Sequence, residues 1–232
     1  MAWGYLIGRS SAIPLKVSIN PYILIFLAAI PDIDLLLGLT GIRHRTWTHS
    51  VLIWALIFVP FFIIYRKRSI PYFLAPIQHI LLGDFVVGYY NSPLWPVNTS
   101  KFSLNYGLLS YENLALEAIG LAGFLLWAVL SADERKEFMA KDKKNRWSIL
   151  PIIPLAAFVT AALSGNQIAN FLIENHILRS RGLLETLPLI TGNPLFPFAV
   201  ALHAILLGFL MIPLIQSLRS PHRDLTMDKI GN

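Results

Sequence analysis

Six apolar runs, each close to the roughly 20 residues that carry a helix across a bilayer, constrain this chain more than anything else in it. They cover approximately residues 18–38, 50–65, 69–90, 113–131, 148–174 and 195–216. Charged residues make up only 14% of the 232, against about 25% in an ordinary soluble domain. The pattern predicts an all-α fold, a polytopic membrane helical bundle of about six transmembrane helices, forming one membrane-embedded domain over 1–232. The first run is interrupted by Pro21 and Pro31 and the second is short, so either can be tilted or half-spanning. Pro60, Pro71, Pro76, Pro151, Pro154 and Pro213 also fall inside the runs, where neighbouring helices can satisfy the carbonyls that proline frees.

The opening segment MAWGYLIGRSSAIPLK lacks the basic start, long apolar stretch and small-residue cleavage site of a removable signal. It reads as a retained segment lying in the interface. The net charge of +6 would suggest nucleic acid in a soluble protein, but in a membrane protein basic residues collect in cytoplasmic loops and beside anionic headgroups. No nucleic-acid partner is expected; the partner is the lipid bilayer. With six alternating spans, 14 of the 19 lysines and arginines fall in the loops and termini of one side and five on the other. That count predicts a cytoplasmic-membrane protein with both termini cytoplasmic and the segment after the first run facing outside. No internal repeat is visible.

That outward segment, Pro31 to Ser50, reads PDIDLLLGLTGIRHRTWTHS and sets two aspartates and two histidines between apolar flanks. Ionisable groups against hydrocarbon are expensive and by default functional. Asp32 and Asp34 follow Pro31, where a helix start would account for one acid through its dipole but less readily for two. His44 and His49 are five apart, about 140° around a regular helix, so sharing a ligand requires a turn between them. Ser50 or Thr48 can cap the helix beginning VLIWALIF. In the third run His79 and Asp84 are also five apart. A single π turn, with Gly83 to accommodate it, would bring them onto one face.

Later runs add Glu112 and Glu117, a stripe of Gln167, Asn170 and Glu174, and His203. Most of these read as groups that join helices by hydrogen bonds; Glu117 is singled out for chemistry. The chain has no cysteine, so any metal is held by nitrogen and oxygen. Imidazoles and carboxylates together suit a divalent ion, zinc first, with manganese or iron as alternatives. Such an ion can acidify water and polarise a phosphoryl or carbonyl oxygen. Arg45 could hold an anionic group through its planar fork or serve only as a headgroup anchor. There is no phosphate-binding GxxxxGK[ST], no GxSxG and no HExxH.

The order PDID, HRTWTHS, QHILLGD and PLWP resembles the YdjM-like family of inner-membrane metal-dependent hydrolases. The resemblance covers roughly residues 1–130, the metal-site part, and leaves 131–232 as additional transmembrane helices. It implies a metal site built from Asp32, Asp34, His44, His49, His79 and Asp84. The same order is distantly similar to zinc-dependent phospholipases C and P1-type nucleases, whose His-to-Asp spacing is four where this chain has five.

The expected activity is hydrolysis by metal-activated water of a phosphoester, ahead of a carboxylic ester, in a lipid-like substrate at the extracytoplasmic side. Asp34 or Glu117 would accept the proton and Arg45 would steady the anion. A non-catalytic metal-binding membrane protein or a transporter is the alternative.

Overall fold

The computed structural model describes residues 1–32, 47–87, 92–139, 149–156 and 193–219. All regular structure in them is helical: α1 (Ala2–Leu15), α2 (Pro21–Leu27), α3 (Val51–Tyr65), α4 (Ile70–Gln78), α5 (Asp84–Val87), α6 (Tyr111–Leu130), α7 (Ala132–Met139) and α8 (Phe196–Arg219). Polar side chains set the starts. Asn20 Oδ1 accepts from the amides of Tyr22 and Ile23 with Pro21 at the first position of α2, Ser50 Oγ accepts from Ile53 N at the head of α3, and Ser110 Oγ accepts from Asn113 N at the head of α6.

The first apolar run is not one long helix. α2 stops after seven residues, and the chain tightens into a 3₁₀ turn at Ile30–Asp32 around Pro31; residues 33–38 lie outside the described residues. The third run is divided by a π turn, His79–Gly83, between α4 and α5.

The opening segment is no interfacial flap. α1 lies at the centre of the packing, with Tyr5 fully buried, because Gly4, Gly8 and Ala12 form a small-residue stripe at every fourth position, which lets backbones approach closely. A Cβ on Gly4 would meet Ala28 and Gln78, and one on Gly8 would meet Leu24 and Pro71. As α1 ascends, its neighbours' numbers fall, so α1 is antiparallel to both α2 and α4. Gly120 and Gly123 of α6 face Trp3 and Leu6, so α6 runs parallel to α1. Beyond this waist, Tyr5, Phe124, Phe138 and Phe209 interlock edge to face, with centroids 4.9–5.9 Å apart. Glu134 ties α7 to α1 there through Arg9 and the Tyr5 hydroxyl, the latter at 2.7 Å.

This topology gives the bundle two chemically different ends. The start of α1, the last turns of α2 and α4 and the start of α6 share one end. Lys16, Arg66, Lys67, Arg68, Arg135 and Lys136 gather at the other, where α1 finishes, α4 begins and α7 follows α6. Met1 therefore sits at the same end as Asp32, within electrostatic reach of both Asp32 and Glu117. Within the bundle the N-terminus and the start of the Pro31–Ser50 segment share one end, whereas the alternation count, which left α1 out, sets them on opposite sides.

Two described helices are long and apolar enough to cross a membrane, Tyr111–Leu130 and Phe196–Gln216. Only 33% and 22% of their apolar windows are buried, whereas the core helix of a soluble protein would be covered. The shorter α3 likewise turns Leu56, Ile63 and Ile64 outward.

Candidate metal centre

Three segments far apart in sequence meet at the end of the bundle where α1 starts. The 3₁₀ turn after α2 delivers Asp32, a second 3₁₀ turn, Trp47–His49, delivers His49 immediately before the Ser50 cap of α3, and the π turn delivers His79 and Asp84. The amide of Asp84 donates to the carbonyl of His79, the five-residue hydrogen bond that defines a π turn. It absorbs the extra residue, so side chains that an α-helix would splay apart face one another: His79 Nε2 lies 3.8 Å from Asp84 Oδ2.

His49 Nε2 stands 3.2 Å from Asp84 Oδ2 and 3.4 Å from Asp32 Oδ1, and His79 Nε2 stands 3.3 Å from Asp32 Oδ1. One donor atom each from Asp32, His49 and His79 lies within 4.8 Å of the others, and Asp84 borders this group through both imidazoles. A ligand shell at zinc–nitrogen and zinc–oxygen distances has tetrahedral edges of roughly 3.3 Å. Three of the nitrogen–oxygen separations, 3.2–3.4 Å, fall close to that edge, and His79 to Asp84 is longer at 3.8 Å. Two carboxylates this close to one another's partners repel unless a positive centre lies between them, which either protons on both rings or a divalent cation can provide.

Burial is graded across the site. The His49 side chain is fully buried and Asp84 is 5% exposed, while His79 is 17% and Asp32 41% exposed, so the cluster is closed on the α3 side and open at Asp32. The closed side is held firmly. Thr48 Oγ1 lies 2.9 Å from His49 Nδ1, the Thr48 carbonyl accepts from Trp54 Nε1 at 2.7 Å, and the Ser50 hydroxyl donates to the carbonyl of Trp95. Val51 N donates to Pro93 O at 2.9 Å. Of the two residues able to cap the helix, Ser50 does so, while Thr48 instead partners the histidine ring. The signal for that role is present in the sequence, since a hydroxyl residue beside a candidate ligand is one of the groups able to orient it.

Of the six residues in the expected metal set, four come together: Asp32, His49, His79 and Asp84. Asp34 and His44, and the anion-binding candidate Arg45, lie outside the described residues, as do Gln167, Asn170 and Glu174. Glu117 belongs to the same end of the bundle but to a different cleft. It accepts from Asn113 Nδ2 at 3.3 Å and lines a hollow with Met1, Trp3 and His203.

The model of the family described as YdjM inner membrane protein matches residues 1–169, which contain all four clustered residues and α1 to α7. No curated protein and no solved structure matches the chain.

Proposed function

The chain belongs to the YdjM inner membrane protein family, and from that premise we propose that it is a membrane-embedded, divalent-metal-dependent hydrolase acting on a phosphoester in a lipid-like substrate. One observation carries this reading: two imidazole nitrogens and two carboxylate oxygens converge at 3.2–3.8 Å on the open end of an apolar bundle. The donor set suits zinc, with manganese or iron as alternatives. A bound ion would supply Lewis acidity toward a phosphoryl oxygen and lower the pKa of water.

The chain's own residues do the remaining work. Asp32, the most exposed member, faces the side from which substrate and water arrive. His49 and Asp84 form the buried floor and exclude bulk water. We assign proton acceptance to Asp34 and anion binding to Arg45; Glu117 faces a different cleft and is not given that role. Lys16, Arg66, Lys67, Arg68, Arg135 and Lys136 gather opposite the site, which supports a site on the extracytoplasmic side. On this reading Met1 lies on the site's side.

The test is purified protein in mixed micelles with phosphatidic acid and other lipid phosphoesters. Release of phosphate or headgroup should stop on chelation and return on adding zinc. A metal-loaded protein that releases nothing from any of these lipids would instead support the non-catalytic or transporter reading.

Thr48 offers a finer test of the same centre. With a metal bound, His49 would offer Nε2 to the ion and its Nδ1–H would donate to Thr48 Oγ1, 2.9 Å away. Thr48→Val keeps the shape and removes the acceptor. Loss of such an outer partner typically weakens metal binding ~10–100-fold. Thr48→Ser should restore most of it, with the melting temperature of the metal-free protein little changed, as read by zinc titration and thermal unfolding.

A further inference from the structure

We infer that the loop 92–110 is seated in the lipid headgroup–acyl boundary of the bilayer and forms a lipid-embedded rim to the Asp32–His49–His79–Asp84 centre. The inference rests on the chain being a membrane protein and does not require the hydrolase reading. Three observations carry it.

The first is position. The loop leads through the Ser110 cap directly into α6, a helix long and apolar enough to cross the bilayer, so the loop must lie at the level where that helix enters. The second is attachment. Its backbone is bound to both segments that supply the site: Pro93 O and Trp95 O accept from Val51 N and Ser50 Oγ next to His49, and the amides of Leu104 and Tyr106 donate to Phe85 O and Val86 O next to Asp84. Phe102 packs against Phe85 with ring centroids 5.0 Å apart and the planes tilted by 34°.

The third is what the loop shows to its surroundings. Val97 is 84% exposed and Phe102 61%, with Leu94, Leu104 and Tyr106 also outward. Contiguous exposed apolar groups of this kind mark a membrane or interaction site. Between Val97 and Phe102 the sequence is Asn98-Thr99-Ser100-Lys101, all exposed, so polar groups and one cation alternate with apolar ones, as suits phosphate headgroups above and acyl chains below. The irregular backbone sets the depth, because lipid-exposed loops with open carbonyls and amides are not tolerated inside hydrocarbon. An aqueous loop would waste the apolar groups and a deep one would strand the backbone. The boundary satisfies both.

The cysteine-free sequence makes the test direct. Single cysteines replacing Val97 or Phe102, and Leu56 on α3 as a reference, are labelled with bimane and reconstituted into phosphatidylcholine–phosphatidylglycerol vesicles. Quenching is compared for lipid nitroxides near the headgroup, lipid nitroxides near the chain end, and aqueous iodide. The loop positions should be quenched roughly twofold more strongly by the shallow nitroxide than by the deep one, and more weakly by iodide than free dye; Leu56 should prefer the deep nitroxide. Strong iodide quenching with no nitroxide effect would place the loop in water and overturn the inference. Preference for the deep nitroxide, or shielding from all three quenchers, would overturn it as well, by placing the loop in hydrocarbon or against protein. Metal content measured on the same preparations reports separately on the metal centre, and chelation should leave the quenching pattern unchanged.

Discussion

Protein carrying His79→Ala should retain less than a tenth of the divalent metal held by the parent, with an affinity for added zinc at least ~100-fold lower, since outer partners alone are worth ~10–100-fold. His79 is the most informative ligand to remove. Its side chain is 17% exposed, against none for His49, so truncation leaves a shallow gap that solvent can fill, and loss of metal is separable from loss of fold. Removing it also takes away the nitrogen nearest the exposed Asp32, leaving Asp32 and Asp84 with one imidazole between them. His203→Ala provides the control. That ring's Nδ1 lies 2.9 Å from the Ala199 carbonyl and lines the cleft of Glu117, so its removal should leave metal content unchanged. Elemental analysis and zinc titration, beside circular dichroism to establish folding, decide the matter. Equal metal in His79→Ala and parent would show that the four-residue cluster is an ion-pair network and not a metal centre.

Which parts of this arrangement could be read in advance follows from how local their causes are. The helices over 50–65, 113–131 and 195–216 were legible because continuous apolar sequence is a short-range signal; the structure has Val51–Tyr65, Tyr111–Leu130 and Phe196–Arg219 there. The five-residue spacing of His79 and Asp84 was also informative, since two ionisable residues in an apolar run are costly unless they meet, and a π turn is the local way for that spacing to do so. The structure places that turn at His79–Gly83. Gly83 is not what makes it possible: a Cβ there would meet nothing within 4 Å.

The role of α1 was not legible from apolar length. A helix of 14 residues falls below the span threshold, and its importance comes from how closely its small residues let other helices approach, which is a property of the partners as much as of α1. The convergence of Asp32 with His49 and His79 is likewise long-range, fixed by α1 standing antiparallel to α2 and α4. Sequence could nominate these residues as ionisable groups out of place, but only packing puts their donor atoms within a few ångströms. Glu117 shows the converse: its position at the start of α6 was read correctly, while the cleft it faces depends on Met1, Trp3 and His203, which no local pattern connects to it.

That dependence on α1 leads to the largest expected effect on stability. Gly4→Val should lower the melting temperature sharply and weaken metal binding together, although Gly4 touches none of the four ligands. A Cβ at position 4 would stand 2.3 Å from the Ala28 Cβ and 3.3 Å from Gln78 Oε1, against ~3.5–4 Å for ordinary carbon contacts. Ala28 has no rotamer with which to retreat, so the α1 and α2 backbones must separate. Overpacking of this kind costs about 1–3 kcal/mol for inserted methylenes, and more where backbone must move. The displacement falls on the site, because Ala28 immediately precedes the residues leading into the Ile30–Asp32 turn and Gln78 immediately precedes His79. Driving them apart widens the 3.3 Å gap between Asp32 Oδ1 and His79 Nε2.

Gly83→Ala and Gly123→Ala separate this cause from a general intolerance of glycine loss. The first has open space, and the second would meet only the flexible end of Leu6 at 3.2 Å, so each should change stability by less than ~0.5 kcal/mol and keep full metal content. If Gly4→Val melted with the parent and bound zinc equally well, the close approach of α1 to α2 and α4 would not be what holds Asp32 and His79 in register.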